Sequence, residues 1–169
     1  MEVYEAIRTV LAIREFQSKP VPDNAIHRII ESARLTASSM NQQPWNFIIV
    51  QNRDTLIKLG SVVTPGPYIA QAAFAIAVAI NKSSPFGISD ASRAIQSMVL
   101  TAWSEEIGSN WTGWVGMTGV ASLLGIPESL DVIAIVPFGY PVRVHTKGKK
   151  RRKALSEVAH RERFGQPFS

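Results

Sequence analysis

The chain has 169 residues, enough for one domain with a hydrophobic core, and a formal net charge of +5 at pH 7. It contains no cysteine, which excludes a disulfide scaffold, a thiolate nucleophile and a cysteine-ligated metal site. The histidines His27, His145 and His160 are far apart in the sequence and lack metal-ligand spacing, so we expect no metal centre.

The N-terminal segment is amphipathic. Apolar residues between Val3 and Leu11 recur at helical spacing and predict a first helix of about three turns. The acidic residues in this segment are unlike a secretory signal. The longest apolar run, residues 68–80, contains Gln71 and is short for a membrane span. We therefore expect a cytoplasmic protein.

Helical and strand-like segments alternate through the first half of the chain. A second helix is expected from Asp23, which suits the N-cap position, with a buried stripe of Ile26, Ile29, Ile30 and Ala33. The segment NFIIVQN, residues 46–52, predicts a buried strand. The next segment, RDTLIKLG, predicts a short helix that ends at Gly60.

The second half repeats this alternation. A second strand is predicted at residues 74–80, followed by a long helix from the N-cap Ser89 to Glu106. A loop rich in glycine and tryptophan and a short helix ending near Gly125 precede a third strand, residues 131–139. The alternation indicates an α/β or an α+β fold, and the pattern alone does not choose between them.

Polar residues are concentrated in ASSMNQQPWNFIIV, residues 37–50, at the junction between a helix and a buried strand. Pro44 prevents the helix from continuing, and Trp45 provides a large apolar anchor. Side chains at such a junction either cap a turn or face a ligand at the end of the sheet. Capping is the more common role of serine and asparagine, so this segment alone favours a polar turn.

Six segments, in this order, resemble the flavin-dependent nitroreductase family: IREF, ASSMNQQPWNFIIV, SDASRAIQSMVLTA, GSNWTG, AIVPFGYP and KRRKALSEVAH. Together they cover nearly the whole chain. The resemblance implies an α+β fold with a central mixed or antiparallel sheet flanked by helices. It also implies that residues 1–169 form a single flavin-binding domain in an intertwined homodimer, with FMN at the subunit interface. The tail, residues 154–169, is expected to pack on the partner subunit.

The resemblance also implies which residues contact FMN. The matching positions are Arg14, Ala37, Ser38, Asn41, Gln43, Trp111, Thr112, Gly113, Lys150 and Arg152. Arg14 would lie near the ring edge, residues 111–113 would approach the reactive edge with their backbone, and Arg152 with Lys150 would bind the phosphate. Ser39 and Tyr68 are candidates for substrate contact, although packing in a core or an interface is the more common role of a tyrosine such as Tyr68.

The basic block, Lys147–Lys153, carries six cations in seven positions, whereas the rest of the chain is close to neutral. A phosphate monoester carries about −1.5 to −2 charges at neutral pH, so two or three of these cations are enough to bind one. This favours one FMN phosphate over a solvated block or a nucleic-acid contact.

One departure from the family concerns the usual Arg-Arg-Ser triplet, whose positions are Val10, Leu11 and Ala12 in this chain. The phosphate and ribityl contacts of that triplet are therefore lost, and either Arg8 or the basic block would have to replace them.

The activity implied by the resemblance is reduction of FMN by NADH or NADPH, followed by reduction of a nitroaromatic, a quinone or a similar small acceptor. The flavin would carry the chemistry, so no catalytic side chain is expected. Two alternatives remain open. One is a flavin protein with a non-nicotinamide role, in dehalogenation or flavin breakdown, and the other is a nucleic-acid-binding module that uses residues 147–153.

Overall fold

The computed structural model describes residues 1–113, 117–143 and 150–168. His145 and two cations of the basic block, Lys147 and Lys149, lie outside these ranges. The helices and strands are α1 Val3–Thr9, α2 Asp23–Arg34, β1 Trp45–Val50, α3 Arg53–Val62, β2 Phe74–Asn81, α4 Gly87–Ser104, β3 Gly108–Ser109, β4 Thr112–Gly113, α5 Val120–Leu124 and β5 Leu130–Gly139. No helix in the described ranges is long and apolar enough to cross a membrane.

The sheet has the strand order β1–β2–β5–β3, and β4 also pairs with β5. Each of these pairings is antiparallel. Helix α4 contacts α2 and β2, and α3 contacts α5. An α/β protein would have a mostly parallel sheet with crossover helices, so the antiparallel pairing identifies the α+β class. The predicted fold class is confirmed in this respect.

Strand β2 separates two hydrophobic clusters because its side chains alternate between the two faces of the sheet. Phe74, Ile76, Val78 and Ile80 belong to the cluster that includes α2 and α4. Ala75 and Ala77 belong to the cluster that includes α3 and α5. Seven of the eight residues of β2 are buried, as expected for a central strand covered by helices on both faces.

Helix α1 differs from the prediction. It ends at Thr9 instead of continuing to Leu11, and its apolar Val3 is 70% exposed. The helix cannot continue because residues 12 and 13 pair with the sheet edge: Ala12 forms a parallel bridge with Ser109, and the Ile13 N–H donates to the Ser109 carbonyl at 2.8 Å.

Two further helix boundaries were predicted incorrectly. Helix α3 continues through Gly60 to Val62. Gly60 allows a close approach of another segment instead of ending the helix, since a Cβ at this position would be 3.0 Å from the Cβ of Ala70. Helix α4 begins at Gly87, two residues before Ser89. In α2, Asp23 lies within the first turn, and the buried stripe is as predicted except that Ile30 is half-buried.

We expect the Glu105→Gln variant to melt about 1–4 °C lower than the wild type at pH 7, because it removes an ion pair between α2 and α4. Arg28 donates two hydrogen bonds of 2.7 Å to the Glu105 carboxylate. The hydrogen bond from Arg28 lowers the pKa of Glu105 below its ordinary value. The contribution is therefore present above the unfolded-state pKa of about 4.3 and is lost as the pH falls through the lowered folded-state pKa.

Thermal melts of both proteins at pH 7 and at a series of acidic pH values test this expectation, since the difference should shrink as the pH falls through the lowered pKa of Glu105. Glu106→Gln is the matched control, because Glu106 is an exposed neighbouring acid and does not pair with Arg28. An equal loss in both variants at pH 7 would contradict the role assigned to the Arg28 pair.

Candidate functional site

A cavity of about 1040 Å³ lies between α1, the middle of α4, the segment after β3 and the start of the described basic segment. Its apolar wall includes Tyr4, Ile7, Val10, Leu11, Val99 and Trp111. Three cationic side chains, Arg8, Lys150 and Arg152, line it as well. An apolar wall combined with cations suits a ligand that has a flat apolar part and an anionic group.

Helix α1 is fixed against α4 below this cavity. The Trp103 indole N–H donates to the Thr9 hydroxyl oxygen at 2.9 Å, and that hydroxyl donates to the Glu5 carbonyl at 2.7 Å. Thr9 and Ala6 are the buried residues of α1, so its apolar Tyr4 and Ile7 remain exposed at the cavity.

The position of Trp111 follows from a proline in β5. The Phe138 carbonyl accepts from the Ala73 N–H, on the side of β2. Backbone groups of successive strand residues point to opposite sides, so the nitrogen of Pro137, which has no hydrogen to donate, faces β3 and β4. The segment that joins β3 and β4 leaves the sheet at this point, and its Trp111 lines the cavity.

The cations at the cavity differ in whether an acidic side chain pairs with them. Arg8 makes two hydrogen bonds of 2.8 and 2.7 Å to Glu5, so its charge is already paired. The Lys150 ammonium donates to the Ile7 carbonyl at 2.6 Å, and Arg152 donates to the Arg151 carbonyl at 3.0 Å. Neither Lys150 nor Arg152 takes part in an ion pair between described residues.

Burial, and then the positive charge of Arg152, lowers the pKa of the Lys150 ammonium below its ordinary value. Both effects disfavour the charged form of Lys150, whereas an anion bound beside it would favour that form. This end of the cavity is therefore electrostatically suited to a phosphate group.

The polar segment after α2 forms a tight loop, residues 37–43, with a 3₁₀ turn at Ser39–Asn41. The Gln43 N–H donates to the Ser38 hydroxyl at 2.9 Å, and the Gln43 side-chain amide donates to Asn41. Met40, Asn41 and Gln43 have positive φ angles of 51°, 55° and 48°. Non-glycine residues in this region cost about 1–3 kcal/mol each, so contacts elsewhere must stabilise the loop.

The predicted site residues that line cavities are divided among three of them within one chain. Trp111, Lys150 and Arg152 line the large cavity, whereas Gln43 lines a separate polar cavity of about 500 Å³. Arg14 lines a small cavity of about 170 Å³ that shares Ala12 with the large one. The loop and the cationic cavity are thus not parts of one pocket in a single described subunit.

The predicted substrate residues make internal contacts. The Tyr68 hydroxyl shares a hydrogen bond of 2.8 Å with the Thr112 hydroxyl and accepts another from the Asn110 side-chain amide. The Ser39 amide and hydroxyl both donate to Asp90. Gly113 also has a structural requirement, because a Cβ there would lie 2.5 Å from the Ile133 carbonyl oxygen.

Sequence reasoning missed Asp90, which accepts two hydrogen bonds from Ser39, and Asn110, whose side-chain amide donates to Tyr68. A signal for Asp90 was present: it precedes Ala94 and Met98 at intervals of four residues, and so occupies the apolar stripe of α4. An acid in such a stripe needs a specific hydrogen-bonding partner. Asn110 lies in the segment GSNWTG, where no periodicity distinguishes a buried amide from an exposed one.

The combination of an antiparallel sheet covered by helices and a large cavity, whose cations Lys150 and Arg152 form no ion pair with a described residue, defines an α+β protein suited to a flat, anionic organic ligand. The model of the nitroreductase family matches residues 8–84 and 66–140 of the chain, and the chain belongs to this family. The resemblance identified from the sequence motifs is confirmed, and with it the predicted class of oxidoreductase.

A relative from Methanothermobacter thermautotrophicus, named "Putative NADH dehydrogenase/NAD(P)H nitroreductase", is 35% identical over 149 residues, which are 83% of this chain and 78% of the relative. The crystal structure of a protein of the same name from Bacteroides thetaiotaomicron superposes on this chain with a TM-score of 0.87 at 24% identity, over 96% of this chain and 98% of that chain. The structure of an FMN-dependent nitroreductase from Clostridium difficile has a TM-score of 0.86 at 23% identity, over 94% of this chain and 98% of that chain. At these identities the two solved structures show that the fold is shared.

Proposed function

We propose that the chain is an FMN-dependent oxidoreductase that takes electrons from NADH or NADPH and reduces a nitroaromatic, a quinone or a similar small acceptor. Family membership and the names of its relatives support this activity. The observation that carries the proposal is the cavity of about 1040 Å³, in which an apolar wall meets Lys150 and Arg152, two cations that form no ion pair with a described residue. FMN has the same two parts, a planar ring system and a phosphate.

The residues present fit FMN. Arg152 would bind the phosphate through its planar fork of N–H groups, and Lys150 would add a point charge. Trp111 would cover part of the ring system with apolar surface and exclude water from it, whereas Val10 and Leu11 would lie beside the ribityl chain and the phosphate. When bound, FMN supplies hydride acceptance from the nicotinamide and electron transfer to the acceptor, so the protein contributes placement and electrostatics.

Residues 1–169 are proposed to act as one flavin-binding domain that forms a homodimer. The loop at residues 37–43 does not line its own subunit's cationic cavity, so we assign it to the FMN of the partner subunit. Exposed apolar side chains support such an interface, on α1 and on the tail: Val3, Tyr4, Ile7, Leu155, Val158 and Phe164. Sedimentation should give a dimer when FMN is bound, and an FMN-loaded monomer would contradict this assembly.

Titration of FMN with the purified protein tests the function directly. Binding should quench the flavin fluorescence to saturation, and the loaded protein should oxidise NADH or NADPH when a nitroaromatic or a quinone is added. Unquenched fluorescence at saturating protein would contradict the proposal. Binding without nicotinamide oxidation would favour a flavin protein with a different electron donor.

We expect the Val10→Arg variant to bind FMN about two- to fivefold more tightly than the wild type. Val10 is half-buried in the cavity wall and stands where the family carries the first arginine of its polar triplet. The new guanidinium would add one charge beside the phosphate-binding cations. Fluorescence titration at fixed ionic strength measures the change.

Val142→Arg is the matched control, because it makes the same substitution at an exposed position outside the cavity lining. It should leave the affinity unchanged. Equal tightening in both variants would mean that net charge, and not the position of the guanidinium, determines FMN affinity.

A further inference from the structure

Asp90 is a fully buried carboxylate in α4, at 0% exposure. Its Oδ2 accepts from the Ser39 N–H at 3.0 Å, and its Oδ1 accepts from the Ser39 hydroxyl at 3.0 Å. Arg93, one turn further along α4 and about half-exposed, also donates to Oδ1. A buried carboxylate is tolerated only when such partners compensate for lost hydration, and two of these three hydrogen bonds come from one residue of the loop.

Asp90 connects segments that are 51 residues apart in the sequence. A second contact lies at the same junction, where the Thr36 hydroxyl donates to the Ser97 hydroxyl at 2.8 Å. Thr36 and Ser39 therefore attach the start of the loop to α4 at two points. The positive-φ residues of the loop follow directly, so their conformation depends on where Ser39 is held.

We propose that Asp90 is a positioning residue for the flavin: through Ser39 it fixes the conformation in which the loop, residues 37–43, presents Ser38, Asn41 and Gln43 to FMN. This inference rests on the proposed function. A carboxylate is needed here because each of its two oxygens must accept a hydrogen bond from Ser39, and an amide has only one acceptor oxygen. Arg93 supplies the opposite charge from the solvent side.

The Asp90→Asn variant keeps the shape of the side chain but replaces one acceptor oxygen with an NH₂ donor. In one orientation of the amide this donor faces the Ser39 N–H, and in the other it faces the Ser39 hydroxyl and Arg93. We expect FMN to bind about tenfold more weakly, which corresponds to about 1.4 kcal/mol. We also expect a shift in the visible absorption of the bound flavin, because the polar groups around its ring move. Fluorescence titration and absorption spectra measure both effects.

Hydrogen exchange of the FMN-free protein gives a readout that does not require the flavin. Amides within residues 38–43 should exchange faster in Asp90→Asn than in the wild type, while the protection of β2 should be retained.

Glu105→Gln is the matched control for a general loss of stability. It makes the equivalent acid-to-amide change near the other end of α4 and breaks an ion pair with Arg28, away from the loop. Both variants should melt below the wild type. Only Asp90→Asn should lose FMN affinity and loop protection, since a merely structural contribution of Asp90 would lower the melting temperature alone.

Ser39→Ala provides a milder variant in case Asp90→Asn does not fold. It removes the hydroxyl donor but leaves the backbone N–H bond to Oδ2, so a smaller loss of affinity and of loop protection is expected. The double variant should lose less than the sum of the single losses, because both changes act on the same contact.

The proposal is overturned if Asp90→Asn, or Ser39→Ala in its place, binds FMN and protects residues 38–43 as Glu105→Gln does. A wild-type protein that does not bind FMN would overturn the proposed function and this role with it. The two failures are distinguishable, because the first occurs in a variant of a protein that binds FMN.

Discussion

The Phe138→Ala variant is expected to lose about 3–5 kcal/mol of unfolding free energy, because a large, fully buried side chain is removed from the centre of the sheet. Phe138 in β5 and Phe74 in β2 are both at 0% exposure and are directly opposite each other in the register. Their rings stack at a centroid distance of 4.9 Å and an interplanar angle of 8°. The substitution thus removes both buried area and the stacking contact.

Urea denaturation at a fixed protein concentration measures this loss, since the stability of a dimer depends on concentration. Phe86→Ala is the control, because Phe86 is 39% exposed and should contribute less than about 1.5 kcal/mol. Phe138 also pairs with Ser109, which lines the large cavity, so FMN affinity should fall together with stability. A loss below about 1 kcal/mol would mean that the core closes around the missing ring.

The central strands could be predicted because their sequences combine burial with strand-forming residues. Strands β2 and β5 lie within one residue of the predicted bounds. Their long apolar runs are bounded by polar residues. The predicted end of α5 near Gly125 also agrees with the structure, where Gly125 has the positive φ that favours glycine. Helix α2 was predictable from its apolar stripe, which recurs at helical spacing and belongs to the hydrophobic cluster that includes α4.

The edge of the sheet could not be predicted in the same way. Strands β3 and β4 contain two residues each, too few for any periodicity, and they depend on pairing with β5. The apolar residues of α1 satisfied a helical pattern, but most of them remain exposed or line the cavity. A hydrophobic pattern predicts that a surface is covered and does not identify what covers it.

The candidate site shows the same division. The types of the proposed phosphate-binding residues were readable from the clustered charge, and the loop at residues 37–43 from its polar composition. The contact of Ser39 with Asp90, across 51 residues, was not readable, because hydrogen bonding between distant segments leaves no local signal. The separation of the loop from the cationic cavity was also not readable, since it depends on how the chain folds.

The Arg152→Ala variant is expected to bind FMN about ten- to a hundredfold more weakly than the wild type, because a charge-assisted hydrogen bond contributes about 1.5–3 kcal/mol. Arg152 lines the large cavity and takes part in no ion pair between described residues. Its guanidinium is therefore available for a phosphate. Fluorescence titration with FMN measures the affinity at fixed ionic strength.

Riboflavin and Arg151→Ala make this test specific. Riboflavin has the same ring system without the phosphate, so its affinity should be the same in the wild type and in Arg152→Ala. Arg151 is an exposed neighbour that does not line the cavity, and its alanine variant should retain FMN binding within about twofold. An equal loss for FMN and riboflavin would place the effect of Arg152 in the fold of this segment, and unchanged FMN affinity would remove its role in binding phosphate.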